Sequence, residues 1–217
     1  MKNSPISKSI SLLILVAALG YFVDIYDLIL FNIIKKESLE SLHIDYNTYE
    51  TVLFRWQMAG MLIGGILWGV WGDKKGRVSV LFGSILIYSV ANIANAFVVS
   101  LWAYKMWRLI AGLGLAGELG AGITLVAESL PKEKRGYGTM IVATVGVSGA
   151  VAAYLVYEIF QDWRLCYYAG GVLGLLLLIL RISITESGMF KELAKSSEKK
   201  GDFLSLFTNK NRFFKYL

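Results

Sequence analysis

Asp24, Asp27, Arg108 and Glu118 are ionisable residues that lie inside apolar runs of this 217-residue chain. A charge at the centre of a bilayer costs about 2.5–3.5 kcal/mol on insertion scales, so such groups turn toward a partner or a water-filled path rather than toward lipid. Asp24 and Asp27 are three residues apart, which puts both on one face of a helix. Arg108 reaches the depth of Asp27 if its helix runs inward, and the two could then pair. Arg55 is the competing partner, although its place within a turn of a helix end also lets it snorkel to the interface. Glu118 lies ten residues beyond Arg108, about 15 Å along the axis, in mid-membrane among small residues and open to a cavity. A carboxylate that gains or loses a cationic neighbour as the protein rearranges changes its hold on a proton. That is a chemical basis for coupling proton movement to conformation. The static alternative is a fixed Asp27–Arg108 pair with Glu118 bonded to backbone.

The elements that must position these groups are apolar segments. Hydrophobic residues make up 56% of the chain and the mean hydropathy is +0.56, more than a soluble domain of this length hides in a core. Six stretches are long enough to cross about 30 Å of hydrocarbon: Ile10–Ile34, Val52–Trp71, Val78–Val98, Leu101–Glu128, Tyr137–Phe160 and Leu165–Ile184. They are continuously apolar, whereas membrane barrel strands alternate, so the expected fold is an all-α, polytopic membrane bundle. The first stretch also has the basic start of a signal peptide, but its apolar run continues to Ile34.

Basic residues set the orientation. Lys2, Lys8, Lys74, Lys75, Arg77, Lys132, Lys134 and Arg135 fall on one side and Lys35, Lys36 and Arg164 on the other, which puts the N terminus in the cytoplasm, for a bacterial protein in the inner membrane. The tail after Ile184 adds seven Lys or Arg to the same side. Much of the net charge of +6 is therefore topological, and no basic-aromatic pattern points to nucleic acid. Cys166 reads as a packing residue and His43 as a solvated loop residue, with no cluster for a metal. Neither a P-loop nor a nucleophile elbow suggests an enzyme, and no cofactor is expected. Gly60/Gly64, Gly65/Gly69 and Gly170/Gly174 are small-xxx-small pairs, and glycines crowd the fourth segment. Such faces let helices pack closely in lipid and would also let them rock during a transport cycle.

The loop GVWGDKKGR, Gly69 to Arg77, resembles the loop between helices 2 and 3 of the major facilitator superfamily of transporters. The fourth segment, MWRLIAGLGLAGELGAGITLVAESLPKEKRG, is similar to that of its sugar-porter and metabolite-proton symporter branches, and Tyr26-Asp27 resembles the sugar porters' tyrosine-aspartate pair. ITESGMF, Ile184 to Phe190, is similar to the segment after helix 6, with Gly188 in place of the family's proline. The resemblance implies the N-terminal six-helix half of that fold. Its parts are a cytoplasmic N terminus (1–9), a bundle (10–184) and a cytoplasmic linker (185–217), charged and solvated or in part an amphipathic surface helix, that ends where a seventh helix begins. It implies proton coupling through Asp27 facing Arg108, with Asp24 and Glu118 in the same cavity. It also implies a cytoplasmic gating network of Gly69, Asp73, Gly76, Arg77, Glu128, Arg135 and Glu186, whose alternative reading is ordinary loop charge.

The expected partners are the lipid bilayer, a small-molecule substrate, protons and a C-terminal six-helix half. Three function classes stay open: the N-terminal half of a proton-coupled metabolite transporter, a half-transporter that homodimerises, and a non-transporting remnant or membrane interaction protein. Arg55 and Arg108 suit an anion, whereas Asp24, Asp27 and Glu118 suit a cationic amine, so the substrate stays open too.

Overall fold

The computed structural model describes residues 5–186, which form six helices: α1 (Pro5–Ser41), α2 (Tyr46–Lys75), α3 (Arg77–Asn95), α4 (Leu101–Ser129), α5 (Lys132–Phe160) and α6 (Trp163–Glu186). All six are long and apolar enough to cross a membrane. The expected linker beyond Glu186 lies outside the described residues.

The helices outrun the apolar stretches at several ends. α1 continues from Ile34 to Ser41 through two lysines and two glutamates, because nothing there breaks the helix and the charges find partners. Lys35 bridges to Glu50 of α2 at 3.2 Å. α2 begins at Tyr46 rather than Val52 because Asp45 caps it, accepting from the Thr48 backbone N–H at 2.9 Å and from the Thr48 hydroxyl. The same bonds hold the Asp45 carboxyl below its usual range, the hydroxyl bond first and the backbone bond second. Asp162 caps α6 in the same way, accepting from the backbone N–H groups of Arg164 at 2.7 Å and Leu165 at 3.1 Å.

One residue, Gly76, separates α2 from α3. Its φ of 91° lies where a side chain is strained, so glycine is needed for so tight a reversal. Its N–H closes the last turn of α2 onto the Gly72 carbonyl at 2.9 Å.

α2 packs chiefly on α4 and α1 on α5, while α3 lies against both α4 and α6. Glycines bring the backbones together. A Cβ on Gly60 would run into the Leu109 carbonyl and one on Gly112 into the Gln57 carbonyl, so α2 and α4 touch through their main chains. Gly149 of α5 meets the Phe22 carbonyl of α1 in the same manner. Gly65 and Gly69 differ, since a Cβ at either meets nothing within 4 Å.

Apolar side chains fill the two ends. Leu30, Phe31, Ile34, Tyr104, Trp163 and Tyr167 gather toward the α1–α2, α3–α4 and α5–α6 turns. Leu13, Ala17, Val80, Leu125 and Val126 gather toward the α2–α3 and α4–α5 turns. The buried charges lie between them.

Candidate functional site

Asp27 of α1, Gln57 of α2 and Arg108 of α4 form a closed triad with no solvent exposure. Arg108 donates from Nη1 to Asp27 Oδ1 at 3.3 Å and from Nη2 to Oδ2 at 3.2 Å. Nη2 also donates to Gln57 Oε1, and Gln57 Nε2 donates back to Asp27 Oδ2 at 3.0 Å. The two-pronged pairing is the strong form of an arginine–carboxylate contact. The guanidinium lies 4.3 Å from the Phe31 ring centre and 5.6 Å from that of Tyr167, so aromatic faces replace part of its lost hydration. Asp27 thus pairs with Arg108, while Arg55 is exposed. Close approach of α2 and α4 at Gly60 and Gly112 is what lets Gln57 reach between them.

A second buried pair follows toward the α2–α3 end. Arg181 of α6 grips both carboxylate oxygens of Glu118, with Nη1 to Oε2 at 2.8 Å. It also donates to the carbonyls of Leu81 at 2.8 Å and Val16 at 3.3 Å, and Ser84 of α3 donates to Glu118 Oε2 at 3.2 Å. This corrects the sequence expectation for Glu118. Gly20 of α1 and Gly117 of α4 let α1 and α3 come close to Glu118, and the carboxylate is 3% exposed, against the Arg181 guanidinium. Arg181 escaped the sequence reading because it stands near the end of the sixth apolar stretch, where an arginine passes for an interfacial charge. Depth would have found it. Glu118 is the 18th residue of α4 and Arg181 the 19th of α6, and both helices start from the same end of the bundle.

Asp24 is 4% exposed, and its Oδ2 is buried without a hydrogen-bond partner among the described residues.

At the α2–α3 turn, Asp73 and Arg77 pair at 2.9 Å across Gly76. Arg135 is exposed and donates from Nε to the Leu130 carbonyl at 2.9 Å. Gly69 is exposed on α2. The side chains of Glu128 and Glu186 lie outside those described, so of the expected gating network the described residues bring together only Asp73, Gly76 and Arg77.

A six-helix bundle with a charged turn after α2 and an ion pair between α1 and α4 invites comparison with membrane transporters, and the family model described as "Major Facilitator Superfamily" matches residues 17–215. The chain belongs to the Major Facilitator Superfamily. A Haemophilus influenzae protein named for metabolite transport is 32% identical over 209 residues, 93% of this chain and 49% of its own length. The niacin transporter NiaP of Acinetobacter baylyi is 28% identical over 195 residues, 86% of this chain and 43% of its own. The sialic acid transporter NanX of Escherichia coli is 30% identical over 197 residues, 88% and 47% respectively. Among solved major facilitator structures, the proton:xylose symporter XylE shares the fold with a TM-score of 0.68 at 20% identity, over 82% of this chain and 45% of that one. The chain spans about half the length of the curated relatives it matches, and it is a multi-pass membrane protein.

Proposed function

We propose that this chain is the N-terminal half of a proton-coupled secondary transporter of a small metabolite, working by alternating access with a second six-helix half. The observation that carries the reading is the Asp27–Gln57–Arg108 triad. It joins one carboxylate to one arginine across three different helices, so a movement that separates Arg108 from Asp27 leaves a buried charge that must find another partner. Asp24 and Glu118 extend the ionisable belt along the same face. This reading puts the N and C termini in the cytoplasm and the chain in the inner membrane of a bacterium, and the distribution of lysine and arginine supports the orientation. Asp73, Arg77, Glu128, Arg135 and Glu186, with Gly69 and Gly76, form the cytoplasmic gate. Exposed ion pairs are worth about 0–1 kcal/mol each, which suits a contact that must open in every cycle. The open glycine face at Gly65 and Gly69 supports the second half, since it leaves room for another helix to approach α2.

The experiment is co-expression of this chain with a six-helix C-terminal half of the family, reconstitution into vesicles, and a screen of small metabolites for uptake that acidifies the lumen. The reading expects a substrate that moves protons with it only when both halves are present. Equal uptake by this chain alone, together with cross-linking to a dimer, would instead make it a self-sufficient half-transporter. No uptake with any partner would leave it a non-transporting membrane protein.

A further inference from the structure

Asp27, Phe31, Lys35 and Ser38 of α1 follow at intervals of four, four and three residues, the spacing of one helix face. Asp27 accepts from Arg108, and the Arg108 guanidinium lies over Phe31. Further along the stripe, the Ser38 hydroxyl meets the Tyr104 hydroxyl of α4 at 3.0 Å, and Tyr104 meets the Tyr167 hydroxyl of α6 at 2.8 Å. The path then returns to its start. Tyr104 stands four residues before Arg108, about one turn of α4 away, and Arg108 lies over the Tyr167 ring at 5.6 Å. Arg108 is therefore enclosed by a loop of contacts that runs along α1, crosses to α4 and α6, and comes back through an aromatic ring. Ser38, Tyr104 and Tyr167 are all fully buried.

The protons in this chain run one way. Ser38 Oγ carries a single proton and donates it to the Lys35 carbonyl at 2.9 Å. At the Tyr104 contact Ser38 must then accept, so Tyr104 donates to it. Tyr104 has no second proton, so Tyr167 donates to Tyr104. The chain ends on a backbone carbonyl, which accepts and has no proton to pass on, so it is a clasp and not a proton route. Lys35 also bridges to Glu50 of α2, which ties that end down. Trp163 packs the aromatic end, stacked on Tyr104 and edge-on to Tyr167, each with ring centres 6.2 Å apart. The two bonds from Arg108 to Asp27, at 3.3 and 3.2 Å, are longer than the about 2.7–2.9 Å common for such pairs. The carboxylate alone thus leaves the plane of the guanidinium free to tilt, and the Phe31 and Tyr167 rings limit that tilt.

We propose that Tyr104 and Tyr167 are positioning residues for Arg108. The hydroxyl clasp from α1 holds the Tyr167 ring against the guanidinium and so keeps its fork on Asp27 and Gln57. Neither tyrosine exchanges a proton in this role. The proposal rests on the transport reading for its use in a cycle, and not for the placing of Arg108.

The test is nitrogen NMR of the arginine-labelled chain in lipid nanodiscs, with Arg108 assigned by the signals that Arg108→Lys removes. A guanidinium gripped at both Nη groups rotates slowly, so the wild type should show Nη1 and Nη2 of Arg108 as separate signals. Tyr104→Phe and Ser38→Ala cut the clasp, and each should raise the exchange rate between the two signals by about tenfold, the weight of one lost hydrogen bond. Leu39→Ala removes a buried side chain of the same apolar cluster and spares the clasp; it should lower the Tm and leave the signals apart. Unchanged exchange in Tyr104→Phe and Ser38→Ala, an equal rise in Leu39→Ala, or one merged signal in the wild type overturns the proposal. If Tyr104→Phe fails to fold, Tyr167→Phe decides in its place, since by the donor order it leaves no buried proton without an acceptor. Faster exchange in Tyr104→Phe, with proton-driven accumulation by the completed transporter unchanged, would keep the positioning and count against the transport reading.

Discussion

Gln57 converts an ion pair into a triad by filling the coordination that Asp27 and Arg108 leave open. Gln57→Leu keeps the volume and removes both bonds; a buried polar group left unsatisfied costs about 1–3 kcal/mol, so unfolding of the bundle in mixed micelles should shift by that amount. Arg108→Ala removes the cation paired with a buried carboxylate and should cost more, about 3–5 kcal/mol. Arg108→Lys keeps the charge but not the fork that reaches both Asp27 oxygens and Gln57, and its loss should fall between the two. At this scale the sequence was partly transparent. Asp27 and Arg108 were readable as a pair because two opposite charges at matching depth in apolar helices have few other ways to be satisfied. Gln57 was not, because a neutral amide raises no alarm in a hydropathy scan, and Glu118 was misplaced because its cation is far away in sequence, on α6.

Among the elements, glycine position separates packing that belongs inside this bundle from packing that faces outward. Gly60→Leu should drive a side chain into the α4 backbone and destabilise the half by about 1–3 kcal/mol. Gly65→Leu, five residues further along α2 and on another face, meets open space and should leave the stability of this half within about 0.5 kcal/mol while weakening its co-purification with a C-terminal half. Equal effects of the two substitutions on stability would contradict that division. The cap on α2 gives a pH prediction. Because Thr48 lowers the Asp45 carboxyl in the folded protein, the cap's contribution is present above the unfolded carboxyl's range and fades as pH falls through the lower, folded value. The Tm of the wild type should therefore drop on acidification by more than that of Asp45→Ala, whose Tm is already lower at neutral pH. Six helices in order were legible from apolar length alone, yet their ends were not. Charged residues such as Lys35 and Glu50 extend helices when they can bridge to each other, and hydropathy stops where the bilayer stops rather than where the hydrogen bonding does.

For the molecule as a whole, this half supplies two buried arginine–carboxylate pairs and an open glycine face, and the proposed cycle needs a second half against which that core can move. Substrate binding at the interface of two repeats means that uptake by the completed protein is the quantity that depends on every level at once. The central claim is that separation of Arg108 from Asp27 couples protons to transport. The most direct measurement is paired assays on the completed transporter in vesicles: substrate accumulation driven by an imposed proton gradient, and substrate exchange without one. Asp27→Asn should lower proton-driven accumulation at least tenfold while leaving exchange within about twofold, a separation of at least about fivefold or about 1 kcal/mol between the two processes. Accumulation by Asp27→Asn that equals the wild type, with its proton flux intact, would contradict the account.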